Sequence, residues 1–179
     1  MSRALALVIA IALLIASATT ALASDFRGSE WGATQEAVKA KEKLALASAD
    51  DNELVYDVVI GKMAGEVRYK FGPKGFYEAL ILSKQPQENA MDYIGDYVRL
   101  HEIVTRAHGN PIIDETRFSD ESKRSDPDAW PDALKSGVMV MEAKWIKPRT
   151  TVTLRLGGVG GMIALSADFV SATIKEGSE

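Results

Sequence analysis

Apolar and polar residues alternate with a period of two through much of this chain, and that pattern places most of its elements. In Glu53–Ile60, Leu54, Tyr56, Val58 and Ile60 fall on one face, with Val55, Asp57 and Val59 on the other. Glu66–Phe71 sets Val67, Tyr69 and Phe71 against Glu66, Arg68 and Lys70. One face is buried and one wet, as an antiparallel sheet allows. The Gly61–Gly65 and Gly72–Gly75 segments read as turns, the latter a tight hairpin. Phe76–Ser83 is apolar on both faces and predicts a central strand. Further on, strands are predicted at Ile112–Phe118, Gly137–Ile146, Thr151–Leu156 and Met162–Val170, with Gly157–Gly161 as a turn.

Two segments break this rhythm with a helical period. Thr34 is a good N-cap for a short helix from Gln35 to about Leu44, and Glu36 suits the positive end of its dipole. Trp31-Gly32 leads into it, and Trp31 is expected to pack on its first turn. After a linker at Gln85–Glu88, Asn89 and Asp92 form a capping-box-like start. Met91, Ile94, Tyr97, Val98, His101, Val104 and His108 then recur at spacings of three and four, until Gly109 and Pro111 end the helix. Each helix is followed by β-type runs. The expected fold is therefore α+β: two α-β-β-β halves, about 24–86 and 87–179, forming one antiparallel sheet with the helices packed on one face. Between the strands at Ile112–Phe118 and Gly137–Ile146 lies a polar loop, Ser119–Ser136, broken by Trp130 and Leu134.

The first 23 residues follow a different rule. Arg3 is the sole charge before Asp25, Ala4–Ala16 is continuously apolar, and Ala21-Leu22-Ala23 is a small-x-small motif. This is the arrangement of a secretory signal peptide. Cleavage is expected after Ala23, leaving residues 24–179 as a single domain in the periplasm or outside the cell. A membrane anchor would need about 20 apolar residues, and Ser17, Thr19 and Thr20 interrupt the run.

Charge and cysteine content narrow the function. The 179 residues carry 21 basic and 25 acidic side chains, net −4. That balance disfavours nucleic acid, whose binding needs a basic surface. The absence of cysteine removes disulfides, thiolate metal sites, thiol nucleophiles and a lipoprotein anchor together. His101 and His108 lie two helical turns apart, too far to share one metal ion, and a structural role is the simpler reading of both. The carboxylates Asp114, Glu115, Asp120, Glu121, Asp126, Asp128 and Asp132 lack a calcium-loop frame. The Gly157–Gly161 run precedes a strand, where a phosphate loop would open a helix. No Gly-x-Ser-x-Gly elbow is present. No catalytic residue, cofactor or metal site is expected.

Phe26-Arg27-Gly28, Trp31-Gly32, Glu36-Ala37-Val38, Tyr69-Lys70-Phe71 before a glycine turn, and His108-Gly109-Asn110-Pro111 resemble a family of small exported bacterial proteins without an assigned function. The doubled plan is similar to that of β-lactamase inhibitory protein, and the capped helix and Gly-x-Pro resemble the outer-membrane assembly module BamE. The resemblance implies protein binding without catalysis. It departs from both in lacking the inhibitor's disulfides and the BamE lipid-bearing cysteine. The expected function is thus a non-catalytic, periplasmic protein-binding module for an unidentified, envelope-associated partner, with no stable membrane anchor. Its candidate contacts are Trp130, Arg68, Lys70 and Arg155, on the loop and the outer sheet face. The alternatives are a small-ligand carrier, with a pocket between helices and sheet, or a weak hydrolase using His101 or His108.

Overall fold

The computed structural model describes residues 24–84, 86–87, 89–175 and 177. The leader and its cleavage point after Ala23 lie outside the described residues. The described residues form three α-helices and eight strands: α1 (Gln35–Lys41), β1 (Leu46–Ala49), β2 (Glu53–Ile60), β3 (Met63–Gly72), β4 (Gly75–Ser83), α2 (Ala90–His108), β5 (Ile113–Phe118), α3 (Trp130–Lys135), β6 (Met139–Ile146), β7 (Thr150–Val159) and β8 (Met162–Ser171). This is a mixed α+β protein dominated by one eight-stranded antiparallel sheet, in the order β1-β2-β3-β4-β8-β7-β6-β5.

Each run of four strands is a meander, and the meanders meet where β4 pairs antiparallel with β8. The doubly apolar β4 therefore is central, as its sequence predicts. Alternate residues of the strands build the core. Leu54, Val67, Tyr69, Ala79, Ala167, Leu154, Ala143 and Trp145 are all fully buried. Val38 of α1, Leu100 and Val104 of α2, and Ala133 and Leu134 of α3 join the same apolar cluster.

The helices begin as their caps dictate. Thr34 accepts a hydrogen bond from Ala37 N and Asn89 from Met91 N. The segment before α1 is fastened to the middle of the sheet. Gly32 N donates to Phe76 O and Phe76 N to Ala33 O. Gly75 carries a positive φ, and a Cβ there would lie 2.4 Å from Gly32 O, so glycine is what lets the backbones meet. Trp31 is buried as expected, but on the sheet: its ring sits 4.6 Å from Phe76 and its Nε1 donates to Thr150 Oγ1.

Several boundaries differ from the expected ones. β1 was not anticipated; all four of its residues are exposed, so it leaves no alternating signature. α1 stops at Lys41, and β3 starts earlier, at Met63. The Ser119–Ser136 segment is not an irregular loop but two single 3₁₀ turns followed by α3. Asp120 and Asp126 cap those turns, and Glu121 pairs with Arg124, which accounts for much of the acidic cluster. Gly157 and Gly158 belong to β7 rather than to a turn. A Cβ on Gly158 would lie 2.3 Å from Leu134 O, so this glycine admits the C-terminal end of α3 against the strand.

Candidate functional site

The strand residues pointing away from the core form a charged surface with a regular lattice. In the register of the sheet, Val55, Arg68, Leu80, Asp168, Thr153 and Lys144 make one row; Asp57, Glu66, Leu82, Ser166, Arg155 and Glu142 make the next. Three of the four residues singled out from the sequence, Arg68, Lys70 and Arg155, are here. Each already has an acidic partner. Arg68 binds Glu66 and reaches Glu53 at 3.5 Å, Lys70 holds Glu78 at 2.6 Å, and Arg155 lies 3.6 Å from Glu142, which Arg117 also contacts at 3.1 Å. The hydrogen bond from Arg68 to Glu66 raises the guanidinium pKa further.

Asp168 is the exception in this lattice. Its Oδ1 is buried without a hydrogen-bond partner. Burial, then the neighbouring Glu78 charge, push its carboxyl up to about 6 against the pull of Lys70. The sequence did carry this signal: an aspartate between Ala167 and Phe169, the sole charge in the strand Met162–Ser171.

Trp130, the fourth residue, is not part of this lattice. It begins α3, half-buried, with its ring 6.1 Å from Phe118 and its Nε1 donating to Lys123 O. It thus secures the Ser119–Ser136 segment as well as offering one edge to solvent.

The two histidines occupy separate environments. His101 Nε2 is 3.2 Å from Asp114 Oδ2 but without hydrogen-bond alignment, and the imidazole lies tilted against Trp145 with ring centroids 5.3 Å apart. His108 lies against Phe169 at 6.1 Å and lines a cleft beside α2. Burial, and secondly Lys147, lower its pKa, favouring the neutral ring. A general base needs both access to substrate and an orienting group. His101 has the carboxylate without that cleft, and His108 has the cleft with a cation nearby.

Sequence reasoning missed a polar cluster beside the buried face of the sheet. Glu42, just past α1, receives hydrogen bonds from Arg27 and from the Tyr69 hydroxyl. Burial would raise the Glu42 carboxyl, but these donors and the backbone N–H groups of Lys43 and Leu44 hold it at about 2. Burial and the Glu42 hydrogen bond drive the Tyr69 phenol strongly upward. Among the described residues no cluster of three potential metal ligands occurs, and no helix is long and apolar enough to cross a membrane.

Comparison with protein-family models, with curated proteins and with solved structures returns no match to this chain.

Proposed function

We propose that the protein is a non-catalytic periplasmic binding module that docks an envelope-associated protein against the outer face of its sheet. In this reading the chain is two halves, each a helix followed by a meander, joined through β4 and β8, with α1, α2 and α3 together on the opposite side. The observation that carries the proposal is the charge lattice. Arg68 and Lys70 are bound to Glu66 and Glu78, and Arg155 lies 3.6 Å from Glu142, on a broad sheet. Side chains ordered before binding lose less freedom on association. Paired signs also suit a partner of complementary pattern better than one attracted by net charge, so specificity rather than long-range steering is the expected result. The resemblance to β-lactamase inhibitory protein and to BamE points to the same class of role.

A photo-crosslinking amino acid placed at Thr153, on the outer face, and in a second variant at Val98, exposed on α2, tests this in living cells. A discrete protein adduct from position 153 and none from 98 is expected. An adduct from 98 alone moves the interface to the helical side and overturns the proposal.

A further inference from the structure

A cleft of about 560 Å³ opens between α2 and the sheet, on the side away from the charge lattice. Its walls are aliphatic and aromatic: Val58, Val67 and Ile81 from the strands, Leu100 and Val104 from α2, and Phe169. The rim stays apolar as it meets water, since Val59 is 76% exposed and Ile103 49%. A volume of this size and lining is typical of small-molecule sites, which fall at roughly 300–1,000 Å³.

The charges around the cleft say what kind of molecule fits. Asp25 is neutralised by a two-pronged contact with Arg149, at 2.9 and 2.6 Å. Arg27 is bound to Glu42. Arg99, one turn of α2 from Ile103, is exposed and makes no ion pair or side-chain hydrogen bond among the described residues. The cleft thus has a mostly apolar lining, with His108 at one end held toward its neutral form by burial and Lys147, and at its lip a guanidinium uncommitted among the described residues. That fork of donors matches a carboxylate in geometry as well as charge.

We infer that the cleft binds a single-chain amphipathic carboxylate of the fatty-acid class, its hydrocarbon between α2 and the sheet and its carboxylate on Arg99. The site is separate from the outer face and stands whether or not a protein docks there. An uncharged apolar molecule would leave Arg99 without a role. A peptide helix would need a groove extending along several more turns than the segment from Arg99 to His108 supplies. The other candidate occupant is this chain itself, because Ser24 lines the cleft and the apolar run Ala4–Ala16 precedes it.

The test is a fluorescence titration of the exported protein, as recovered from cells, with 11-(dansylamino)undecanoic acid and with the matching dansylated alcohol. Saturable one-to-one binding of the acid, displaced by palmitate, is expected. Arg99→Gln, a surface change, should weaken the acid about 10-fold or more and leave the alcohol within about 2-fold, as loss of a charge-assisted contact does. Val104→Phe, filling the cleft, should weaken both, with circular dichroism confirming that the variant is folded. Equal affinity for acid and alcohol overturns the inference. So does a folded protein that binds neither probe, including one whose intact mass shows residues 1–23 retained. Undiminished binding in a folded Val104→Phe variant places the ligand elsewhere and overturns it as well.

Discussion

Two carboxylates on opposite faces of one sheet meet opposite fates. Glu42, beside the core face, is surrounded by donors and held near 2; Asp168, on the outward face, has an unpartnered oxygen, an acidic neighbour and a carboxyl near 6. Both are desolvated. The difference lies in what the desolvated group faces: two donor side chains and two backbone N–H groups for Glu42, against Glu78 and one competing lysine for Asp168. The inner face spends its polar groups on holding the fold. The outer face retains a carboxylate whose surroundings oppose its charge, in the middle of a lattice that the core does not require. Where a fold tolerates such a group, a role beyond stability is the natural expectation.

The sharpest way to break this comparison uses neighbours in β6. Trp145 is fully buried, and Lys144, the next residue back, points outward. Trp145→Ala should cost about 3–5 kcal/mol by chemical denaturation. Lys144→Ala should stay within about 0.5 kcal/mol. Similar losses for both would mean that the outer face is also structural.

The second largest effect belongs to Glu42. Glu42→Gln leaves Arg27 without its counter-charge and should cost about 1–3 kcal/mol at pH 7. Because the folded carboxyl is held below its ordinary value, its contribution is present above about pH 4.5 and is lost as pH falls through 2. The gap between wild type and Glu42→Gln should therefore close on acidification. A gap unchanged between pH 7 and pH 3 would show that the loss comes from packing instead.

Asp168 should behave in the reverse sense. Its folded pKa is raised, so the favourable situation exists below its ordinary value of 3.8 and is lost as pH rises through about 6. Asp168→Asn removes the penalty and should stabilise the protein by about 1 kcal/mol at pH 8, after allowance for solvent screening of a partly buried group. Below pH 4 the two proteins should unfold alike. Destabilisation at pH 8 would show that the charged Asp168 has a favourable partner.

How far the sequence reveals these two regions depends on period. β2, β3 and the 19-residue α2 announce themselves because each pairs a buried face with a wetter one, and β4 because it is apolar on both faces. The short β1 is exposed at every position and gives no such contrast. Gly158 looks like part of a turn because the need it meets, room for the backbone at the end of α3 around Leu134, lies more than twenty residues away in the chain. The same limit governs the candidate site. Arg68, Lys70 and Arg155 could be assigned to a wet face from alternation alone, but their acidic partners required the register. The contact between Glu42 and Tyr69 spans 27 residues and joins a helix end to a strand, so no local pattern discloses it.

The smallest effect tests the outer face most directly. Arg155 is more than half exposed and sits 3.6 Å from Glu142, which Arg117 contacts more closely at 3.1 Å. Exposed pairs of this kind contribute about 0–1 kcal/mol. With Arg117 remaining, Arg155→Ala should change stability by less than about 0.5 kcal/mol. If the outer face docks a protein, however, the same substitution removes a pre-positioned guanidinium from the contact, and such arginines rank among the strongest interface anchors. The crosslinked adduct formed from position 153 should then fall sharply in yield while thermal unfolding is unmoved. The contrast between those two readouts separates a surface kept for binding from one kept for solubility. An Arg155→Ala protein with unaltered adduct yield would place the docking row nearer Arg68 and Lys70, and loss of yield there alone would narrow the interface to the β2–β3–β4 side of the sheet.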